Sequence, residues 1–179
     1  MAGRKTPRAT PEPRPLAATA SIDTPVGRVA ITVADGLIVR TGWIAADGPP
    51  REIPEEEPLL AEACDQLRAY FDQRLKRFDL PLDPAGTGFQ RQVWVEMQQI
   101  PYGSWQVYSD LADRVGSVAR AVGRACGQNP IPIIIPCHRV LASGGRLGGY
   151  SGAGGRTTKL ALLAHEGAML PLAPLQPAG

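Results

Sequence analysis

Ile131-Pro-Ile-Ile-Ile-Pro-Cys-His-Arg-Val140 is the stretch on which the reading of the chain turns. Ile133, Ile134 and Ile135 form a β-branched run too apolar for water, and they read as a short buried strand. Pro136 ends it by removing a backbone donor and fixing φ. A thiol (Cys137), an imidazole (His138) and a guanidinium (Arg139) follow at once. A rigid strand end is one way to hold a nucleophile in place. The same residues also fit a packed strand end whose cysteine is merely a small hydrophobe.

The chain has 179 residues, enough for one ordinary domain or two small ones sharing a core. No apolar run approaches the ~20 residues of a membrane span, and no apolar segment follows the basic N-terminus as in a secretory signal. Cys64, Cys126 and Cys137 are odd in number and widely spaced. That pattern argues against a disulfide framework and for a reducing, cytoplasmic setting, or a nuclear one in a eukaryote. With two histidines and no CxxC pair, no metal site is expected. Charge divides along the chain: seven basic against twelve acidic side chains between 21 and 86, but eight against four from 87 onward. The basic half fits a polyanionic partner as well as ordinary solvation.

Residues 1–18 are rich in Pro, Arg, Ala and Thr and read as a disordered tail; 171–179 read as a flexible one. Residues 19–84 read as a small acidic α/β domain acting as a scaffold. Within it two β runs flank the Asp35-Gly36 turn. A helix over 59–75 carries Leu60, Cys64, Leu67, Tyr70 and Phe71 at helical spacing, and 78–82 offers another short strand. A second domain, 87–170, opens with a capping box at Thr87 and Gln90. Its helix buries Phe89, Val93, Met97 and Ile100. Ser109 and Ser117 are expected to cap two further short helices, the second with Val118, Ala121, Val122 and Ala125 inward. Joined at Gly116-Ser117, these helices form a helix-turn-helix or a plain helical hairpin. Arg120 and Arg124, one turn apart and flanked by Ala119 and Gly123, can approach a phosphate chain. The glycine-rich stretch 143–155, with Tyr150 and Ser151 at its centre, is either a ligand-hugging loop or a linker. A last helix over 157–165, with Leu160, Leu162, Leu163 and Ala164 apolar, leaves Glu166 at the negative end of its dipole. A carboxylate there is either plainly solvated or has a partner.

A thiol is only slightly ionised at neutral pH and needs a base. Adjacent side chains do not face each other, so a water would have to link Cys137 to His138, which can pass a proton on to Glu166.

Arg120-Ala-Val-Gly, Asn129-Pro130, Pro136-Cys-His-Arg-Val, Gly149-Tyr-Ser-Gly and Leu162-Leu-Ala-His-Glu-Gly167 occur in that order. Together they resemble the O6-alkylguanine-DNA alkyltransferase family, most specifically from Phe89 to Gly167. The resemblance implies an α+β fold, with a short antiparallel sheet in the first domain and a mainly helical, winged-helix-like second domain containing a helix-turn-helix. It implies single-turnover repair of double-stranded DNA without a cofactor. Cys137 would be the alkyl acceptor, with His138, Glu166 and a water as its proton relay and Asn129 holding the turn. Arg120 would replace the flipped nucleotide, with Arg124, Ala119, Gly123 and Ser117 along the DNA. Tyr108 would lie near the phosphate and donate towards the guanine. Tyr150, Ser151, the Val140 carbonyl and Cys126 would bound the pocket. The protein would be a monomer able to pack in copies along DNA. Two departures stand out: the Tyr108–Arg120 interval is about two residues shorter than the commoner pattern, and a thiol replaces a larger apolar residue at Cys126. A lesion-binding protein that flips bases without repair is the alternative, but there the cysteine is replaced. A Cys–His hydrolase would need a histidine set apart from its cysteine.

Overall fold

The computed structural model describes residues 17–170, so the expected tails at 1–16 and 171–179 lie outside the described residues. Three strands open the fold: β1 (Ala18–Thr24), β2 (Gly27–Ala34) and β3 (Leu37–Trp43), an antiparallel sheet in the order β1-β2-β3. Asp35 and Gly36 make the β2–β3 turn with positive φ (53° and 71°), as the Asp-Gly pair requires. β1 was not foreseen, and it begins at Ala18, inside the stretch read as tail. Its register places Ala20 and Ile22 in the core, sequence too short and mixed to show a period.

Helix α1 (Pro58–Phe71) lays Leu60, Ala63, Cys64, Leu67 and Tyr70 against β1 and β2. Phe71, expected on that stripe, is only half buried. The expected strand at 78–82 reduces to one bridge, Leu82 to Ile38, with Ile38 N donating to Pro81 O at 2.9 Å. Pro81 cannot donate, so no ladder grows from it.

Helix α2 (Gly88–Gln98) begins as the sequence demands. Gln90 N donates to Thr87 Oγ1 at 3.3 Å, and Thr87 N to Gln90 Oε1 at 2.7 Å. Val93, Trp94, Met97 and the following Ile100 are buried, and the Trp94 indole donates to Ala125 O at 2.9 Å. Then come β4 (Gln106–Val107), α3 (Tyr108–Arg114), α4 (Ala119–Gly127), β5 (Val140–Leu141) and α5 (Arg156–His165). β4 and β5 pair in parallel, a minimal wing beside the two helices.

The two serine caps are not used. β4 holds Val107 extended and feeds straight into α3, so that helix starts before Ser109. Gly116, at φ 61°, closes α3: Ser117 N donates to Ala112 O at 2.9 Å and Gly116 N to Asp113 O at 3.4 Å, a Schellman pattern. Committed to that closure, Ser117 leaves Val118 as the N-cap of α4, and Val118 is 65% exposed rather than inward. In α5 the inward face is Thr158, Lys159, Leu162 and Leu163; Leu160 and Ala164 point out.

Candidate active site

The isoleucine run is buried but is not a strand. Pro132 and Pro136 deprive it of donors, and it folds back on itself: Ile135 N donates to Ile131 O at 2.9 Å, and Pro132 bridges Ile135. Ile133 sits at φ 74°, an outlier for a β-branched residue, which tertiary packing must over-determine. Asn129 supplies part of that packing. Its Nδ2 donates to Ile135 O at 2.8 Å while its Oδ1 accepts from Ile131 N at 3.0 Å, stapling both arms of the turn. From the other side, β3 takes part: Thr41 N donates to Pro130 O at 3.0 Å and Thr41 Oγ1 to Pro132 O at 2.8 Å.

This turn delivers Cys137, His138 and Arg139 as a single 3-10 turn, all three buried. His138 Nε2 lies 2.8 Å from Glu166 Oε1. Glu166 is the C-cap of α5, which Gly167 at φ 70° ends with a second Schellman pattern. Arg139 binds the same carboxylate through Nε (2.9 Å to Oε2) and Nη2 (2.9 Å to Oε1). Tyr70 Oη donates to Oε1 at 2.7 Å, and Gly103 N to Oε2 at 3.2 Å. The carboxylate that the helix dipole disfavours is thus held by five donors.

The electrostatics follow from those contacts. Burial would raise the Glu166 pKa, but the bonds from His138 and Arg139 outweigh it and hold the group well below its usual range. Burial pulls His138 down, against the pull of Glu166, so the imidazole is neutral at rest. An ionised carboxylate only accepts, so Nε2 carries the imidazole proton and Nδ1 is bare. Nδ1 is buried with no hydrogen-bond partner among the described residues. Burial pushes the Cys137 thiol up, opposed by the nearby Asn129 amide and the Lys159 charge. The resting pair is therefore neutral thiol and neutral imidazole, with the proton acceptor ready.

Cys137 opens onto a cleft of about 440 Å³, lined also by Tyr108, Gly123, Cys126, Gly127, Gly149, Tyr150 and Ser151. That volume is in the ordinary range for a small-molecule site. The Tyr150 hydroxyl is buried without a hydrogen-bond partner among the described residues, and its ring stands edge-on to Trp43 of β3 at 6.1 Å. Lys159, fully buried, donates to Val140 O at 2.6 Å and lies 5.8 Å from the Tyr108 ring. Burial lowers it to about 8, against the opposing pull of Cys137 and Cys126.

Of the residues singled out in the sequence, Cys137, Tyr108, Gly123, Cys126, Tyr150 and Ser151 meet in the cleft. His138, Glu166 and Asn129 stand behind it. Val140 does not line it, and its carbonyl is taken by Lys159. Ala119, Arg120 and Arg124 lie on the exposed side of α4, with Ser117 half buried just before it; neither arginine forms a salt bridge among the described residues. Among these residues no cluster suited to a metal ion occurs.

Residues 18–84 match the family model described as the ribonuclease-like domain of 6-O-methylguanine DNA methyltransferase, and residues 88–168 match its DNA-binding domain. A methylated-DNA–protein-cysteine methyltransferase from Mycolicibacterium paratuberculosis is 39% identical over 160 residues, covering 82% of this chain and 90% of the relative. The chain belongs to this family. A crystal structure of the Mycobacterium tuberculosis O6-methylguanine methyltransferase superposes with a TM-score of 0.73 at 35% identity, covering 88% of this chain and 97% of that one. The M. tuberculosis protein in complex with DNA gives 0.73 at 39% identity, covering 86% and 95%. The α+β architecture read from the sequence is therefore that of the methyltransferase family.

Four site residues were not assigned from sequence: Arg139, Tyr70, Lys159 and Trp43. Two left a signal. Lys159 shares a helical face with Leu162, Leu163 and Glu166, where a cation is out of place without a task. Arg139 directly follows the reactive pair. Tyr70 and Trp43 looked like core aromatics, and no local pattern sets them apart.

Proposed function

We propose that the protein repairs alkylated DNA by moving one alkyl group from the O6 atom of guanine in a duplex to Cys137 Sγ. The observation that carries this reading is a buried thiol lining a cleft roomy enough to admit a purine, backed by an imidazole whose free nitrogen can take its proton. The thiol proton passes through a water to His138 Nδ1, and the imidazolium is held by Glu166, which stays ionised. The thiolate displaces guanine from the alkyl carbon, forming a C–S bond as the C–O bond breaks. Tyr108 supplies a proton towards the departing base and regains one from solvent as the imidazolium gives up its own. Tyr150 and Ser151 bound the alkyl group and offer hydrogen bonds to O6, and Cys126 widens the pocket beside them. Asn129 keeps the turn rigid while this happens.

The base reaches the cleft only by leaving the stack. Arg120, in the first turn of α4, fills the space left in the duplex, and Arg124 neutralises a phosphate. Ala119, Gly123 and Ser117 let the backbone come close. Flipping costs a few kcal/mol, less at a poorly paired damaged base, so extrusion itself selects damage. The thioether is stable, so each molecule reacts once, as a monomer, with copies able to pack along one duplex. It works where DNA meets reduced thiols, in the cytoplasm or a nucleus.

Intact mass after incubation with an O6-methylguanine duplex tests the assignment. One methyl should appear, map to Cys137, and be absent in Cys137→Ser. Tight binding of the lesion with unchanged mass would replace repair by recognition alone.

A further inference from the structure

Glu166 is shared between the two halves of the chain. Its Oε1 receives the Tyr70 hydroxyl from α1 at 2.7 Å, His138 Nε2 at 2.8 Å and Arg139 Nη2 at 2.9 Å; Oε2 receives Arg139 Nε and Gly103 N. Five donors compete for about four lone-pair sites. Each donor therefore draws density that the others would use, and the phenol competes on the very oxygen that faces the imidazole.

We infer that Tyr70 is a positioning residue for the transfer reaction: by donating to Glu166 Oε1 it limits how strongly the carboxylate retains a proton on His138, and so sets the pH at which Cys137 can be deprotonated. The inference rests on the alkyl-transfer reading above. It gives the first domain, read from sequence as a scaffold, a hand in the chemistry.

The phenol is held for this task. Its ring packs on Phe71 (5.0 Å), Phe78 (5.3 Å), Tyr102 (5.9 Å) and His165 (5.0 Å), and Tyr70 O accepts from His165 Nε2 at 2.9 Å. The hydroxyl stays protonated at working pH, since burial and the facing carboxylate both push its pKa up. The other groups around the relay are the Arg139 guanidinium and Cys137 thiol of the 3-10 turn, the Lys159 ammonium and His165 of α5, and the Tyr102 hydroxyl after α2. None of them changes in Tyr70→Phe, so that variant isolates the one hydrogen bond.

Without the phenol, Oε1 is more basic and holds the imidazolium more firmly. His138 should then titrate higher, by about half to one pH unit. The experiment follows the rate of alkyl uptake from free O6-benzylguanine against pH for the full chain and for Tyr70→Phe, with ring-nitrogen NMR of His138. The acid limb of the rate profile and the His138 titration should move up together. Placing 3,5-difluorotyrosine, a stronger donor, at position 70 should move both down. That second variant keeps the ring and its hydroxyl, so it decides the matter if Tyr70→Phe folds poorly. An unmoved limb and an unmoved His138 titration in folded protein overturn the inference, whatever happens to thermal stability. A wild-type protein that takes up neither this benzyl group nor a methyl group from an O6-methylguanine duplex overturns the transfer reading instead, and the His138 titration still decides the role of Tyr70.

Discussion

Replacing Glu166 by glutamine removes one charge and leaves the shape. Arg139 is then a guanidinium with 7% side-chain exposure and no counter-charge, facing an amide that donates as well as accepts. Breaking a buried pair from one side costs about 3–5 kcal/mol, against 0–1 for an exposed pair. A domain of this kind holds roughly 5–15 kcal/mol in all, so about a fifth or more is lost. Urea unfolding at neutral pH reads that loss. The double variant Glu166→Gln/Arg139→Met should recover much of it, because the stranded charge is gone. Acid titration gives an independent check. The carboxyl is held below its ordinary 4.5, so its contribution is complete above that value and fades as pH falls below it. Wild type should weaken through that window, and Glu166→Gln should lose the Glu166 part of the slope. Alkyl transfer should slow by about 100- to 1000-fold, since His138 loses the group that stabilises its protonated form. A stability loss under about 1 kcal/mol, with the acid slope unchanged, would refute the reasoning.

Lys159→Met should show a matching effect at alkaline pH. The native lysine sits at about 8 against an ordinary 10.5, so the unfolded chain binds more protons between those values, and wild type gains up to about 3 kcal/mol relative to the variant as pH rises through them. The same change should slow transfer at neutral pH by removing a cation that favours the thiolate. Arg120→Ala should weaken repair in duplex DNA far more than reaction with free O6-benzylguanine; equal losses would refute a role in flipping. Gly103→Ala would place a methyl 2.9 Å from Glu166 O at φ 74°, so thermal melting should show a loss of about 2 kcal/mol or more, with transfer slowed.

The sequence carried the chemistry better than the backbone that presents it. Cys137, His138 and Glu166 were legible because each was out of place: a thiol and an imidazole after a proline stop, and a carboxylate at the wrong end of a helix. The Thr87–Gln90 box was legible because both partners lie within four residues. The isoleucine run misled because composition alone predicts burial, and burial does not distinguish a strand from a folded turn. What decided it was two prolines, the Asn129 staple and the bond from Thr41, which lies 91 residues from Pro132 in the chain. The serines at 109 and 117 are good caps by type, but β4 and the Gly116 closure had already fixed where those helices begin. Tyr70 lies 96 residues from Glu166 in the chain, and no local period can report such a pairing.

One contact away from the chemistry offers a window on it. The outer strand of the first sheet spends the Thr41 amide on Pro130, at the root of the loop that carries the sulfur. Solvent deuterium reaches that amide only when the loop lets go. Its exchange rate thus counts openings of the reactive segment without touching it, and comparison before and after alkylation would tell whether the spent protein has loosened.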